Sequence, residues 1–191
     1  MKTKSYALPS ILLATALVLP SCNVNYDMVT FQAAGTMPAS KTPVPTVGID
    51  THVSAGMMGG DIKSKKPYDI YAFYTDSTLS IASAEFTKVT VTYADGTVDP
   101  GIAALKLPKR FQHHYNEDLQ FQTEGTSTIN KYRRIEAEFA KTVSRDEAFT
   151  LQIEGTFTKD NGTIIPFKIK EKFKVSREKG KESWVDYVSG C

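Results

Sequence analysis

The chain has 191 residues, two cysteines and a formal net charge of +2, with 23 lysines and arginines against 21 aspartates and glutamates. This length is typical of one domain, and 41% hydrophobic residues are enough to build a core, which excludes global disorder. Two cysteines exclude a disulfide-rich miniprotein, and the near-zero charge argues against nucleic acid as the main partner.

Residues 1–21 are typical of a secretory signal peptide. Lys2 and Lys4 form a basic start, and an apolar run follows over residues 11–19. A membrane-spanning helix needs about 20 apolar residues, whereas the apolar region of a signal peptide needs roughly 7 to 15. The short run therefore favours a signal peptide over a permanent membrane span.

The signal ends in Leu19-Pro20-Ser21-Cys22, which resembles the lipobox of bacterial lipoproteins. In that family the cysteine is acylated and becomes the first residue of the mature chain, so the resemblance implies a lipid anchor on Cys22 and a cell-envelope location. Some Gram-negative lipoproteins kept at the inner membrane have Asp at the next position. Asn23 stands there instead, which favours the outer membrane in such a cell. The alternatives are a secretory signal cleaved elsewhere and an apolar N-terminal strand.

Residues 22–46 are predicted to be the anchor and a proline-containing tether, because their prolines lie among small and polar residues. Part of this segment, residues 26–31, could instead pair as a strand. A single domain is predicted over residues 47–191.

Residues 55–60, Ala-Gly-Met-Met-Gly-Gly, are rich in glycine but lack the Gly-x-Gly-x-x-Gly spacing of a phosphate loop. Two interpretations stay open. The segment is an ordinary flexible loop, or Met57 and Met58 form an adaptable apolar tip that contacts a partner or a lipid.

The segment 69–75, Asp-Ile-Tyr-Ala-Phe-Tyr-Thr, has the period-two pattern of a strand. Tyr71 and Phe73 then share one face, and Tyr74 lies with Ile70 on the other. Exposed rings on a strand can stack on sugar rings or peptides, so Tyr71 and Phe73 are candidate binding residues. In the alternative interpretation one face is core and a neighbouring loop covers the other.

Alternation continues along the rest of the chain. Residues 88–93 end at the turn signal Asp95-Gly96, and residues 133–139 alternate apolar with charged side chains. Short runs of this kind predict an all-β fold, an antiparallel β-sandwich that is broadly immunoglobulin-like, with roughly seven to nine strands. A small β-barrel is the alternative.

The hairpin within residues 148–176 is the most specific prediction. Apolar and polar side chains alternate on both strands, so the strands must pair with their apolar faces matched. A two-residue turn would mix the faces. A three-residue loop over residues 160–162 keeps them matched, places Phe149 opposite Phe173, and puts Gly162 at the left-handed position that favours glycine.

The histidines do not predict a metal site. Adjacent His113 and His114 point to opposite sides of a strand, and His52 lies far from them in the chain, whereas zinc needs three or four converging ligands. Neither a Gly-x-Ser-x-Gly elbow nor a His-Glu-x-x-His motif is present. We therefore expect no metal, no cofactor and no enzymatic activity.

The expected function is a non-enzymatic binding or assembly module, held at the membrane by its lipid and contacting another envelope protein. The alternative is a glycan- or small-ligand-binding lipoprotein that uses Tyr71 and Phe73. An envelope hydrolase whose site no motif marks is a third interpretation. A deep pocket would favour the second or third, and a flat, exposed apolar patch the first.

Overall fold

The computed structural model describes residues 23–35, 43–54, 61–116, 120–123, 126–129 and 132–183. These residues form thirteen β-strands and a short 3-10 helix at Pro100–Ala104, which confirms the all-β class. The strands are β1 Asn23–Ala33, β2 Thr46–Asp50, β3 Val53–Ser54, β4 Ile62–Ser64, β5 Tyr68–Asp76, β6 Ile81–Tyr93, β7 Lys109–Gln112, β8 His114–Asn116, β9 Gln120–Thr123, β10 Thr126–Ile129, β11 Tyr132–Val143, β12 Phe149–Lys159 and β13 Ile164–Ser183. Seven of the thirteen have five residues or more, and the others are two- to four-residue pieces.

Most strands belong to two sheets. One sheet has seven strands in the order β3-β4-β1-β13-β12-β6-β7, and the other has four in the order β2-β5-β11-β8. β9 and β10 pair as a separate ribbon. Paired strands among the described residues are antiparallel, except for β1 and β4, which run parallel.

The two larger sheets face each other across one hydrophobic core. Each sheet contributes the apolar half of its alternating strands, because successive side chains of a strand point to opposite faces. Rings from the two layers meet there. The ring centroids of Phe86 and Phe139 are 5.3 Å apart, and those of Tyr74 and Phe157 are 4.7 Å apart. This packing confirms the predicted β-sandwich.

The hairpin of β12 and β13 has the predicted register. Phe149 lies opposite Phe173, so both apolar faces point into the core. The backbone N–H of Lys159 donates to the carbonyl of Thr163 at 2.9 Å and closes the three-residue loop. Gly162 has a φ of +82°, the left-handed conformation for which glycine is favoured.

The N-terminal strand corrects the predicted tether. Residues 23–33, which the sequence assigned to the tether, form β1 and pair along their whole length with residues 173–183 of β13. Val24 and Val29 of β1 are buried. The alternative of a strand at residues 26–31 is therefore the correct one. The sequence pattern for this strand was weak, because its two buried valines are an odd number of residues apart. They therefore do not fit the period-two pattern of a strand with one buried face.

The chain passes from one sheet to the other between β7 and β8. β7 pairs with β6, whereas β8 pairs with β11. His113 is still attached to β6, because its backbone N–H donates to the carbonyl of Ala82 at 3.1 Å. Beyond His113 the chain leaves the seven-stranded sheet, so β7 and β11 lie in different layers of the sandwich.

Candidate functional site

The candidate aromatic residues lie on the outer face of the four-stranded sheet. On β5, Ile70 and Tyr74 pack into the core, whereas Tyr71 and Phe73 point away from it, as predicted. Tyr71 is 41% exposed. Its ring centroid lies 6.3 Å from that of Phe73, and the two ring planes differ by 15°. The exposed Tyr71 and the half-buried Phe73 thus form a nearly parallel ring pair, called the aromatic pair below.

The neighbouring strands hold this pair in place. Tyr71 lies opposite Gly48 of β2 and Glu138 of β11, and Phe73 lies opposite Glu136 of β11. A Cβ atom on Gly48 would lie 2.1 Å from the Tyr71 Oη and 2.2 Å from its Cζ. The Tyr71 ring therefore lies flat across the glycine and covers its bare backbone, an arrangement that stabilises a glycine within a strand.

An open cleft of about 690 Å³ surrounds the aromatic pair, a volume in the range of ligand sites in proteins. Its charged lining residues are Asp50, Asp69, Glu136, Glu138 and Arg134. Four carboxylates and one guanidinium give this lining a formal charge of −3. The exposed ring of Tyr71 adds the negative face of its π-system, so the cleft favours cationic and hydrogen-bond-donating groups.

Two of these carboxylates stabilise the protein itself. Asp69 is buried, and one of its oxygens accepts the backbone N–H of Lys141 at 2.6 Å, where the register of β11 shifts in a bulge. Its other oxygen lies 2.8 Å from Nε2 of His52. Asp50 accepts the backbone N–H of His52 at 2.9 Å. These contacts shape one end of the cleft and leave these carboxylates already engaged.

Arg134 defines the other end of the cleft. Its guanidinium carbon lies 4.8 Å from the centre of the Phe73 ring, and its Nε lies 2.5 Å from a Glu136 oxygen. Stacking and ion pairing together restrict the guanidinium to one orientation. Glu138 is exposed, and its carboxylate has no ion-pair partner within the described ranges. Glu138 is therefore the carboxylate that a ligand can reach without breaking an existing contact.

Part of this site could not be predicted from the sequence. Tyr71 and Phe73 were predicted from their alternation. Glu136 and Glu138 were recognisable only as the polar face of a strand, with nothing to place them beside the rings. Gly48 carried no signal, because its role arises from the pairing of β2 with β5.

A second, smaller polar cleft of about 190 Å³ contains a network that ties β1 to β13. Asp27 accepts hydrogen bonds from the Arg177 guanidinium at 2.6 and 2.7 Å, and these hold the pKa of Asp27 down to about 2. The Tyr68 hydroxyl donates to Asp146 at 2.7 Å, and Lys66 lies 3.2 Å from the same carboxylate. Both carboxylates are matched by donors, so this network is structural.

Three candidates, Cys22, Met57 and Met58, lie outside the described residues. The ring Nδ1 of His113 lies 2.9 Å from a backbone carbonyl, and the Nε2 of His114 lies 3.9 Å from Glu136. Within the described ranges, no three His, Cys, Asp or Glu side chains converge as a metal site would require.

Replacing Gly48 by alanine is expected to displace the Tyr71 ring with little loss of stability. The new Cβ would collide with the end of a flexible side chain, which can swing away, and the strand backbone does not have to move. We expect the change in the free energy of unfolding to stay within about 1 kcal/mol. Aromatic NMR resonances of Phe73 should shift as the neighbouring ring leaves.

Gly180→Ala is the matched control, because a Cβ there would lie 2.2 Å from the Tyr26 Oη on the seven-stranded sheet. It makes the same local change away from the cleft, so it should leave the Phe73 resonances unmoved. Unchanged Phe73 resonances in Gly48→Ala itself would show that the ring does not lie across the glycine.

No helix within the described part of the chain is long and apolar enough to cross a bilayer. The chain matches no protein-family model, no curated protein and no solved structure.

Proposed function

We propose that the chain is a lipid-anchored cell-envelope protein that acts as a non-enzymatic binding module, with the cleft around Tyr71 and Phe73 as its contact surface. One observation carries the proposal: a nearly parallel ring pair, with Tyr71 exposed, lies beside Glu138, whose carboxylate has no ion-pair partner among the described residues. Neighbouring strands already hold the rings in place, so they lose little conformational freedom when a partner covers them. Such pre-organisation favours recognition.

The lipobox-like leader supports the anchor. β1 begins at Asn23, so a lipid on Cys22 would join the sheet with no tether between them. The sandwich would then lie directly against the membrane surface, with the paired ends of β1 and β13 nearest the lipid. In a Gram-negative cell the residue after the cysteine favours the outer membrane as the location.

The anchor is tested by feeding cells an alkyne fatty acid and detecting label on the protein. We expect label on the wild-type chain and none on Cys22→Ser. Label that persists in this variant would rule out acylation at Cys22.

The contact surface is tested by crosslinking in living cells. A photoreactive phenylalanine analogue replaces Tyr71, and a matched variant carries it at Lys170, on the exposed face of β13 in the other sheet. We expect a discrete crosslinked envelope protein from position 71 that is absent from position 170. The same products from both positions would contradict a role for the cleft.

A glycan is the second candidate ligand, favoured by the exposed ring of Tyr71 beside several carboxylates. An exposed aromatic ring offers an apolar face to a sugar ring, while the flanking carboxylates accept hydrogen bonds from hydroxyls. Calorimetry against cell-wall fragments and polysaccharides should detect binding that weakens about tenfold or more in Tyr71→Ala. No heat with any member of the panel would count against a glycan.

A further inference from the structure

A shallow depression lies on the outer face of the seven-stranded sheet, the face that points away from the core. Its volume is about 300 Å³, and it spans neighbouring parts of β6, β12 and β13. Lys172 lies opposite Thr150 of β12, which lies opposite Thr92 of β6. Phe173 is buried in the core, so Lys172 and Lys174 on either side of it both point outward.

Small side chains leave this depression open. Ala94 follows the end of β6, Ala148 precedes the start of β12, and Ala34 follows the end of β1. The backbone N–H of Ala34 donates to the carbonyl of Lys172 at 2.7 Å, which places Ala34 beside β13. All three alanines are exposed. Their methyl groups therefore give the depression an apolar floor that solvent can reach.

The charged lining of the depression is entirely basic. It consists of Lys172 and Lys174, a formal charge of +2, and neither ammonium has an ion-pair partner among the described residues. Two acidic residues adjoin the lining in the chain, Asp95 and Glu147. They lie 3.1 and 3.9 Å from the Arg145 guanidinium, which balances part of their charge. The lining itself therefore favours an anion.

The basic surface continues along β13. Lys170 has no ion-pair partner within the described ranges, whereas Lys168 lies 2.9 Å from a Glu154 oxygen. Glu171 is buried on the opposite, core-facing side of the strand, where it accepts the backbone N–H of Gly35 at 3.1 Å. Alternate residues of a strand are about 7 Å apart. The depression thus lies at the end of a row of outward-pointing ammonium groups.

We propose that this depression binds an acidic sugar, a pyranose ring that bears a carboxylate, as one unit of a linear acidic polysaccharide. One carbon–hydrogen face of the ring lies on the alanine methyl groups. The carboxylate accepts charge-assisted hydrogen bonds from Lys172 and Lys174. The hydroxyls of Thr92 and Thr150 both donate and accept, which suits the ring hydroxyls. This inference goes beyond the proposed function, because the surface lies on the other sheet from Tyr71.

The structure favours a sugar over other anionic partners. An extended acidic peptide binds a sheet through the main chain of an edge strand. Here the floor lies inside the sheet, where the backbone of β12 already pairs with both β6 and β13. A flat anionic bilayer would also meet Glu178, an exposed carboxylate on the same face of β13 as Lys174. Ammonium and hydroxyl groups around a small apolar floor match an acidic sugar.

Calorimetry of the full-length protein in nonionic detergent tests the site with trigalacturonate. It should bind about tenfold more tightly, or better, than its methyl ester, which keeps the rings and removes the charges. The double variant Lys172→Glu, Lys174→Glu should weaken binding about tenfold or more. Lys65→Glu, Lys106→Glu is the matched control, because both lysines are exposed and lack an ion-pair partner among the described residues. It changes the net charge equally and should weaken binding less than about twofold.

A further variant tests the shape of the depression. Ala148→Leu fills the floor and keeps both ammonium groups, so it should weaken trigalacturonate binding about fivefold or more. It should leave unchanged any attraction of a triglutamate peptide, which carries the acidic groups without the rings. All the substituted residues are exposed, so melting temperatures followed by circular dichroism should match the wild type.

Four results would overturn the acidic-sugar site. They are no heat with trigalacturonate, equal weakening by the two double variants, equally tight binding of triglutamate, and binding to phosphatidylglycerol vesicles alone. The second and third would show attraction by charge without a sugar site, and the fourth would assign the surface to the bilayer. Each leaves the proposed function intact, because crosslinking from position 71 tests the other sheet.

Discussion

Replacing Asp99 by alanine is expected to lower the free energy of unfolding by about 3 to 5 kcal/mol. Asp99 is 1% exposed and accepts four hydrogen bonds. They come from the Tyr93 hydroxyl, the Gly101 N–H at 2.8 Å, and the N–H and hydroxyl of Ser144, both at 2.7 Å. Alanine would leave these donors without an acceptor, and each buried, unsatisfied donor costs roughly 1 to 3 kcal/mol.

Urea unfolding followed by circular dichroism measures this loss. Tyr93→Phe is the control, because it removes one donor and keeps the carboxylate, and it should cost about 1 to 2 kcal/mol. If Asp99→Ala costs no more than Tyr93→Phe, the carboxylate does not hold this network together.

The same network makes stability depend on acid. Burial raises the pKa of Asp99, but the hydrogen bonds from Tyr93, Ser144 and Gly101 outweigh burial and hold the pKa below its ordinary value of 3.8. A carboxyl whose pKa is lower in the folded state stabilises the fold above its unfolded-state pKa. This contribution is lost as the pH falls through the lower folded-state pKa. Asp99→Ala should therefore show a shallower loss of stability below about pH 4 than the wild type.

Replacing Phe86 by alanine is expected to cost about 3 to 5 kcal/mol. Phe86 is buried, and its ring makes edge-to-face contacts with Phe111, Phe139 and Phe167 at centroid distances of 5.6, 5.3 and 5.4 Å. These rings come from both layers of the sandwich. A cavity here removes contacts between the two sheets as well as within one, and the surrounding strands can collapse into it only in part.

Thermal and urea unfolding of three variants would test this prediction. Phe86→Leu keeps most of the volume and should cost roughly 1.5 kcal/mol. Ile164→Ala, at a position that is 64% exposed, should stay within about 0.5 kcal/mol. A loss for Phe86→Ala as small as that for Ile164→Ala would show that the ring does not join the layers.

The hairpin of β12 and β13 shows what local sequence can specify. Alternation defines the two faces of each strand, and a one-residue slip would send every apolar side chain to the wrong side. The glycine at the left-handed position then selects the loop length. Both constraints act within residues 148–176, so the register of Phe149 with Phe173 was predictable.

β1 shows where local reasoning fails. Its residues were predicted to belong to a proline-containing tether, and the strand forms because residues 173–183 of β13 offer it a partner edge. That pairing joins the two ends of the described chain. Its stabilisation comes from hydrogen bonds to a distant segment and from the burial of its own Val24 and Val29, and no local pattern encodes that partner.

By itself, the sequence determined the all-β class, the two faces of each strongly alternating strand, and the shared face of Tyr71 and Phe73, because side-chain direction in a strand follows from residue parity alone. The tertiary structure decided how the strands divide into two facing sheets around one core. It also brought Gly48, Glu138 and Arg134 to the aromatic pair. These contacts join separate segments, and only the packing of two complete sheets determines which strands become neighbours.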